Sequence, residues 1–188
     1  ALNLRPDILH CHDWHAALAQ VYLKSHLYRD LPAFANCHGV MTLHNLGYQG
    51  AFDKGCLFMT GLGWDYFNFT CLEYHDRLGL LKGGIHCADL VTTVSPTYAR
   101  EILSPGFAFG LDSALRHVHA RGRLRGILNG IDVREWDPAT DPELPAHFSA
   151  AQPEGKADCK AALQRELGLA EEPRAPVIGV ISRLAHQK

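Results

Sequence analysis

Short runs of apolar and β-branched residues, each handing over to a helix-forming stretch, constrain this chain more than any other feature. Leu90-Val91-Thr92-Thr93-Val94 is the clearest run, rich in the branched side chains that suit a pleated sheet. Asp7-Ile8-Leu9-His10-Cys11 reads as a short buried strand after the breaker Pro6, and Val40-Met41-Thr42-Leu43 as the next. Gly126-Ile127-Leu128-Asn129-Gly130 reads as a strand ending in a turn, and Val177-Ile178-Gly179-Val180-Ile181 as a final buried strand. From Trp14 to about Leu27 the dominance of Ala, Leu, Val and Tyr predicts a crossover helix. Ser95-Pro96 predicts another helix start, with a hydroxyl cap and a ring that fixes the first φ angle. A helix over about 154–167 places Cys159, Leu163 and Leu167 on one face and stops at Gly168. Strands alternating with helices predict an α/β fold with a parallel sheet and helices on both faces.

At 188 residues the chain is long enough for one large domain or pieces of two. From Val133 to Pro153 the sequence turns rich in Asp, Pro, Ala and Glu, a surface crossing by composition. The expected division is therefore the later part of one domain at 1–133, then the crossing and the start of a second at 134–188. A formal net charge of −2 gives no broad electrostatic hold on nucleic acid or anionic membrane, so any anion site must be local. No apolar stretch approaches the length of a membrane span. The opening Ala1-Leu2-Asn3-Leu4 and the stop at Lys188 suggest a piece of a longer soluble polypeptide. Cys11, Cys37, Cys56, Cys71, Cys87 and Cys159 form no C-x-x-C pair, and in a core-rich chain they read as reduced thiols.

In open parallel sheets ligands bind beyond the carboxyl ends of the strands. Those ends carry His12-Asp13, His44-Asn45, Ser95, Asn129-Gly130 and Ser182-Arg183, a set able to hydrogen-bond a hydroxyl-rich ligand. Three imidazoles within His10-Cys11-His12-Asp13-Trp14-His15 invite a zinc reading. The position of the Asp within that run, and the lack of a partner cluster downstream, count against it. Asp13 reads either as the cap of the Trp14 helix or as a group facing a sugar, and the two are compatible. In His44-Asn45-Leu46-Gly47-Tyr48-Gln49-Gly50 the glycines permit a turn that brings main chain close to a ligand. Arg183 and Lys188 are two solvated surface charges or a grip on phosphate oxygens.

These segments, with Ser95-Pro96-Thr97-Tyr98-Ala99-Arg100-Glu101, Gly126-Ile127-Leu128-Asn129-Gly130-Ile131-Asp132, Trp136-Asp137-Pro138 and Ser182-Arg183-Leu184-x-x-Gln187-Lys188, resemble the motifs of bacterial-type glycogen and starch synthases. They stand in that family's order and at roughly its spacing, over essentially the whole chain. The resemblance implies a GT-B arrangement of two facing Rossmann-like domains. It implies transfer of glucose from ADP-glucose to the non-reducing end of an α-1,4-glucan, with retention and with no metal or other cofactor. Asp13, His44 and Asn129 resemble positions lining the donor glucose, with Asn45 beside them. His44 would act near the anomeric centre, partly through its backbone, and Arg183 and Lys188 would hold the diphosphate and help it depart. The implied partners are donor and glucan, with neither nucleic acid nor membrane. The implied location is the bacterial cytoplasm, or a plastid for a plant chain. The family's Lys-x-Gly-Gly-Leu loop would precede Ala1 and its Glu-bearing loop would follow Lys188, so the segment alone is expected to be catalytically silent. The alternatives are a UDP-glucose-dependent enzyme of the same fold and a metal-dependent hydrolase using His10, His12 and His15. A non-catalytic carbohydrate-binding module would have no use for Arg183 and Lys188.

Overall fold

Four parallel strands form the main sheet of the computed structural model, which describes residues 4–184: β1 (Ile8–His12), β2 (His38–Leu43), β6 (Leu90–Thr93) and β7 (Leu124–Gly126), in the order β1-β2-β6-β7. The register pairs His12 with Thr42, Thr42 with Thr92 and Thr93 with Gly126, so the carboxyl ends of the strands lie along one edge. The α/β class with a parallel sheet is the one the sequence predicts. By its contacts the chain divides into two units, Ala1–Asn129 and Gly130–Lys188.

In the first unit β1 leads directly into α1 (Asp13–Lys24), which ends earlier than its composition suggests, at Ser25. The Gly- and aromatic-rich stretch after β2 contains β3 (Ala51–Asp53) and a 3-10 helix over Lys54–Thr60. With β4 (Glu73–Tyr74) and β5 (Arg77–Gly79), β3 makes a small antiparallel sheet in the order β3-β5-β4. Then come α2 (Leu80–Cys87), α3 (Pro96–Glu101), α4 (Pro105–Ala108) and α5 (Asp112–Ala120). Ser95 caps α3 as predicted, its hydroxyl accepting from the N–H groups of Thr97 (3.1 Å) and Tyr98 (3.2 Å). The core under the sheet gathers Met41, Leu43, Leu46, Leu81, Ile85 and Leu115, all fully buried.

The helices α1 and α2 approach closely because α2 offers glycine at the contact. A Cβ on Gly84 would stand 2.8 Å from Ala17 Cβ and 3.1 Å from Ala17 Cα. Gly84→Ala should therefore destabilise the 188-residue chain by about 1–3 kcal/mol, despite alanine's better helix propensity. Urea unfolding reads this directly. A neutral or stabilising change would mean that α1 and α2 can move apart freely.

Two strands read from the sequence are corrected. The segment read as Gly126–Gly130 is instead Leu124–Gly126, because β6 ends at Thr93 and offers no partner strand beyond it. The Ile127 N–H still reaches Thr93 O at 2.8 Å, and then the chain leaves the sheet. The run 177–181 is not a strand: Ile178, Val180 and Ile181 are exposed, and among the described residues nothing pairs with them. A β-branched run becomes a strand only beside a second one.

The second unit holds α6 (Gly155–Glu166), which stops as predicted at Gly168 with φ +65°. Its expected apolar face is largely uncovered: Leu163 and Leu167 are exposed, and the buried residue is Gln164. Preceding it, carboxylates make successive turns. Asp132 accepts from Arg134 N–H, Asp137 from Ala139 N–H and Asp141 from Glu143 N–H, all at 2.9–3.0 Å.

Candidate functional site

The candidate site follows from how the parallel edge ends. Immediately after β1 the backbone of Asp13 turns into the left-handed region, φ +51°, which carbon-branched side chains avoid and Asp tolerates. The turn aims the carboxylate sideways at the next strand. Asp13 Oδ1 accepts from His44 N–H at 2.8 Å and from Asn45 N–H at 3.4 Å. The capping role for Asp13 is thereby corrected. The residue flanking α1 is His12, no side chain caps the helix, and the Asp13 carboxylate serves the neighbouring loop. Its charge still lies favourably in the first helical turn.

The loop after β2 is tied on several sides. Asn45 Oδ1 accepts from Gly47 N–H at 2.9 Å, and Gln49 Nε2 donates to Leu46 O (3.2 Å) and Phe109 O (2.9 Å). Leu46 N–H reaches the Tyr98 hydroxyl at 3.4 Å. Gly50 takes φ +60° over the Trp14 ring, where a Cβ would come within 2.4 Å of Trp14 Cε3, so only glycine fits. Sequence reasoning missed Tyr98 and Trp14 as loop supports. The available signal was a large polar aromatic in the first turn of each helix that follows a strand end.

The imidazoles form a chain across the sheet. His12 Nδ1 and His44 Nε2 share a hydrogen bond of 2.9 Å, and the His10 and His12 rings lie 4.3 Å apart by centroid. His10 Nε2 shares a 2.7 Å bond with the Thr42 hydroxyl, which shares another 2.7 Å bond with Thr92. Burial lowers the pKa of His10, and neighbouring His12 and His44 lower it further. Both effects favour the neutral form of His10. His15 does not join them, because its ring lies on Trp14 at 4.0 Å. Among the described residues no three His, Cys, Asp or Glu are spaced to hold a metal ion.

Asp13, His44 and Asn45 thus meet in one place. Asn129 lies three residues beyond β7 and is exposed, in the segment where the chain has left the sheet. Arg183 is exposed in the second unit, and Lys188 lies outside the described residues.

A parallel sheet whose carboxyl edge presents carboxylate, imidazole and amide groups on braced loops is the Rossmann-like α/β arrangement. More narrowly, the chain belongs to the starch synthase catalytic domain family, which it matches over residues 1–117. It is 55% identical over 188 residues to a glycogen synthase of Anaeromyxobacter sp. (strain Fw109-5), covering all of this chain and 39% of that protein. It is 42% identical over 187 residues to glycogen synthase 1 of Geobacter sulfurreducens, covering 37% of it. Among solved structures it resembles the catalytic domain of starch synthase IV from Arabidopsis thaliana bound to ADP and acarbose, with TM-score 0.70 and 39% identity. That match covers 88% of this chain and 34% of the other. The chain spans about two fifths of the length of the curated relatives it matches. No helix among the described residues is long and apolar enough to cross a membrane.

Proposed function

We propose that this chain carries the glucose-binding edge of an ADP-glucose-dependent glucan synthase, a retaining glucosyltransferase of the GT-B arrangement. The observation that carries the reading is the clamp between Asp13 and the two N–H groups after β2. With the His44 N–H committed to Asp13, the backbone group His44 can offer a ligand is its carbonyl oxygen. Glycosyl transfer passes through an oxocarbenium-like state, positive at the anomeric carbon, and a fixed carbonyl dipole stabilises such charge. The His44 ring, held by His12, contacts the sugar, and Asp13 Oδ2, Asn45 and Asn129 bind its hydroxyls. Arg183 and Lys188 neutralise the departing diphosphate. The ADP bound by the starch synthase IV domain is what ADP-glucose leaves behind, which supports this donor over UDP-glucose. Residues 1–133 are the later part of the first Rossmann-like domain, and 134–188 the crossing and start of the second. The division of contacts after Asn129 supports a boundary in this region. The longer protein acts in the bacterial cytoplasm, in line with its bacterial relatives.

His44→Ala tests the reading. The substitution removes the ring but keeps the carbonyl and the Asp13 clamp. In an enzyme of the relatives' length carrying this segment, kcat should fall roughly ten- to a hundredfold, with glucan KM nearly unchanged. An unaltered kcat would make His44 an ordinary strand-end histidine.

A further inference from the structure

Away from this edge, two cysteines meet at the second apolar cluster. Cys71 lies in the turn before β4, 8% exposed, packed with Leu57, Leu72 and Leu78. Cys87 is the last residue of α2 and is partly exposed. Their Sγ atoms are 3.9 Å apart. The turn is anchored to α2 by a buried amine: Lys82 Nζ donates to Phe69 O and, at 3.3 Å, to Cys71 O, and it lies 5.1 Å from the Phe69 ring centroid. Cys71 N–H bonds Asn68 O at 3.0 Å. The Cys71 backbone is thus held against α2, with its sulfur in contact with that of Cys87.

We propose that Cys71 and Cys87 are a dithiol modification site, oxidised to a disulfide by a peroxide. The two thiols divide the work. The hydrogen bond from Cys87 S–H holds Cys71 below its ordinary pKa, against the effect of burial, and Lys82 adds to the lowering. The same bond, together with burial, raises Cys87. Cys71 is assigned as the nucleophile because the Lys82 Nζ lies beside it, 3.3 Å from Cys71 O, where its charge favours the thiolate that attacks. Its limited exposure admits a small oxidant. The Cys71 thiolate attacks one oxygen of ROOH, the O–O bond breaks, and RO⁻ takes a proton and leaves as ROH. Cys87 then attacks the sulfur of the Cys71 sulfenic acid. Hydroxide departs with the Cys87 proton as water, and the disulfide remains. Two thiols and one peroxide give one disulfide, one alcohol and one water (two waters when the peroxide is hydrogen peroxide). The product ties the turn covalently to α2, and a thiol reductant reverses it.

The test treats the 188-residue chain with a small excess of hydrogen peroxide, blocks remaining thiols with N-ethylmaleimide and maps the peptides by mass. The expected product is a Cys71–Cys87 linked peptide lighter by two hydrogens, with two of the six thiols lost to alkylation and both restored by dithiothreitol. In Cys87→Ser, Cys71 should instead accumulate as a sulfenic acid that dimedone traps. Alkylated Cys71 and Cys87 alongside oxidation of other cysteines would overturn the proposal, as would a crosslink from Cys71 to a different thiol. The wild-type map decides by itself if the variant does not fold.

Discussion

Asp13→Ala, in an enzyme of the relatives' length carrying this segment, is expected to lower kcat about a hundredfold. The carboxylate is the common partner of the His44 and Asn45 N–H groups, at 2.8 and 3.4 Å. Hydrogen bonds to a charged group contribute about 1.5–3 kcal/mol, and each 1.4 kcal/mol lost from the transition state is about tenfold in rate. Their loss frees the loop that positions His44, while the sugar hydroxyl assigned to Oδ2 loses its acceptor. Alanine at φ +51° adds strain of about 1 kcal/mol, so the variant should also be less stable to urea. Asp13→Asn separates the two effects. Asparagine tolerates the left-handed backbone and keeps an oxygen for the N–H groups, so stability should return while activity recovers only in part. Steady-state kinetics beside urea unfolding reads both. Full activity in Asp13→Ala would remove Asp13 and its clamp from the site.

Arg183→Ala should show a large kinetic loss without a stability loss. Arg183 is exposed and belongs to no helix or strand, so the fold does not depend on it. Breaking the bond from glucose to a diphosphate builds negative charge on the departing oxygen. A fixed cation there contributes roughly 2–4 kcal/mol, or about a hundredfold or more in kcat. Arg183→Lys should recover only part of the rate, because an ammonium cannot bind two phosphate oxygens side by side as a guanidinium does. Glucan KM should barely change. Near-normal turnover in Arg183→Ala would leave it a surface charge and put the diphosphate elsewhere.

What could be read from the sequence was what is local. Leu90–Thr93 declares itself by β-branching, Ser95-Pro96 by cap chemistry and Gly168 by its freedom at positive φ. His12-Asp13, His44-Asn45 and Ser95 were legible as strand ends for the same reason, whereas Asn129-Gly130 and Ser182-Arg183 do not end strands. What depends on a partner was not legible. Residues 177–181 have the composition of a strand but no paired neighbour among the described residues, and Ile127–Gly130 outruns the end of β6. The small sheet β3-β5-β4 uses strands of two or three residues, too short to show an alternation. Asp13 misled for a physical reason: a capping Asp sits in extended backbone, whereas this one is left-handed and faces the adjacent strand. The bond between His12 and His44 joins residues 32 apart and follows only from the parallel register of β1 and β2.

The central claim is that this edge serves glucose transfer from ADP-glucose, and the most direct measurement offers both nucleotide donors to one enzyme. A protein of the relatives' length carrying this segment is incubated with glycogen and equal concentrations of radiolabelled ADP-glucose and UDP-glucose, in separate labelled and unlabelled pairings. The expected result is label entering glycogen mainly from ADP-glucose, in α-1,4 linkages at non-reducing ends that β-amylase releases as maltose. Label arriving chiefly from UDP-glucose would contradict the donor assignment, and no transfer from either would contradict the proposed activity itself.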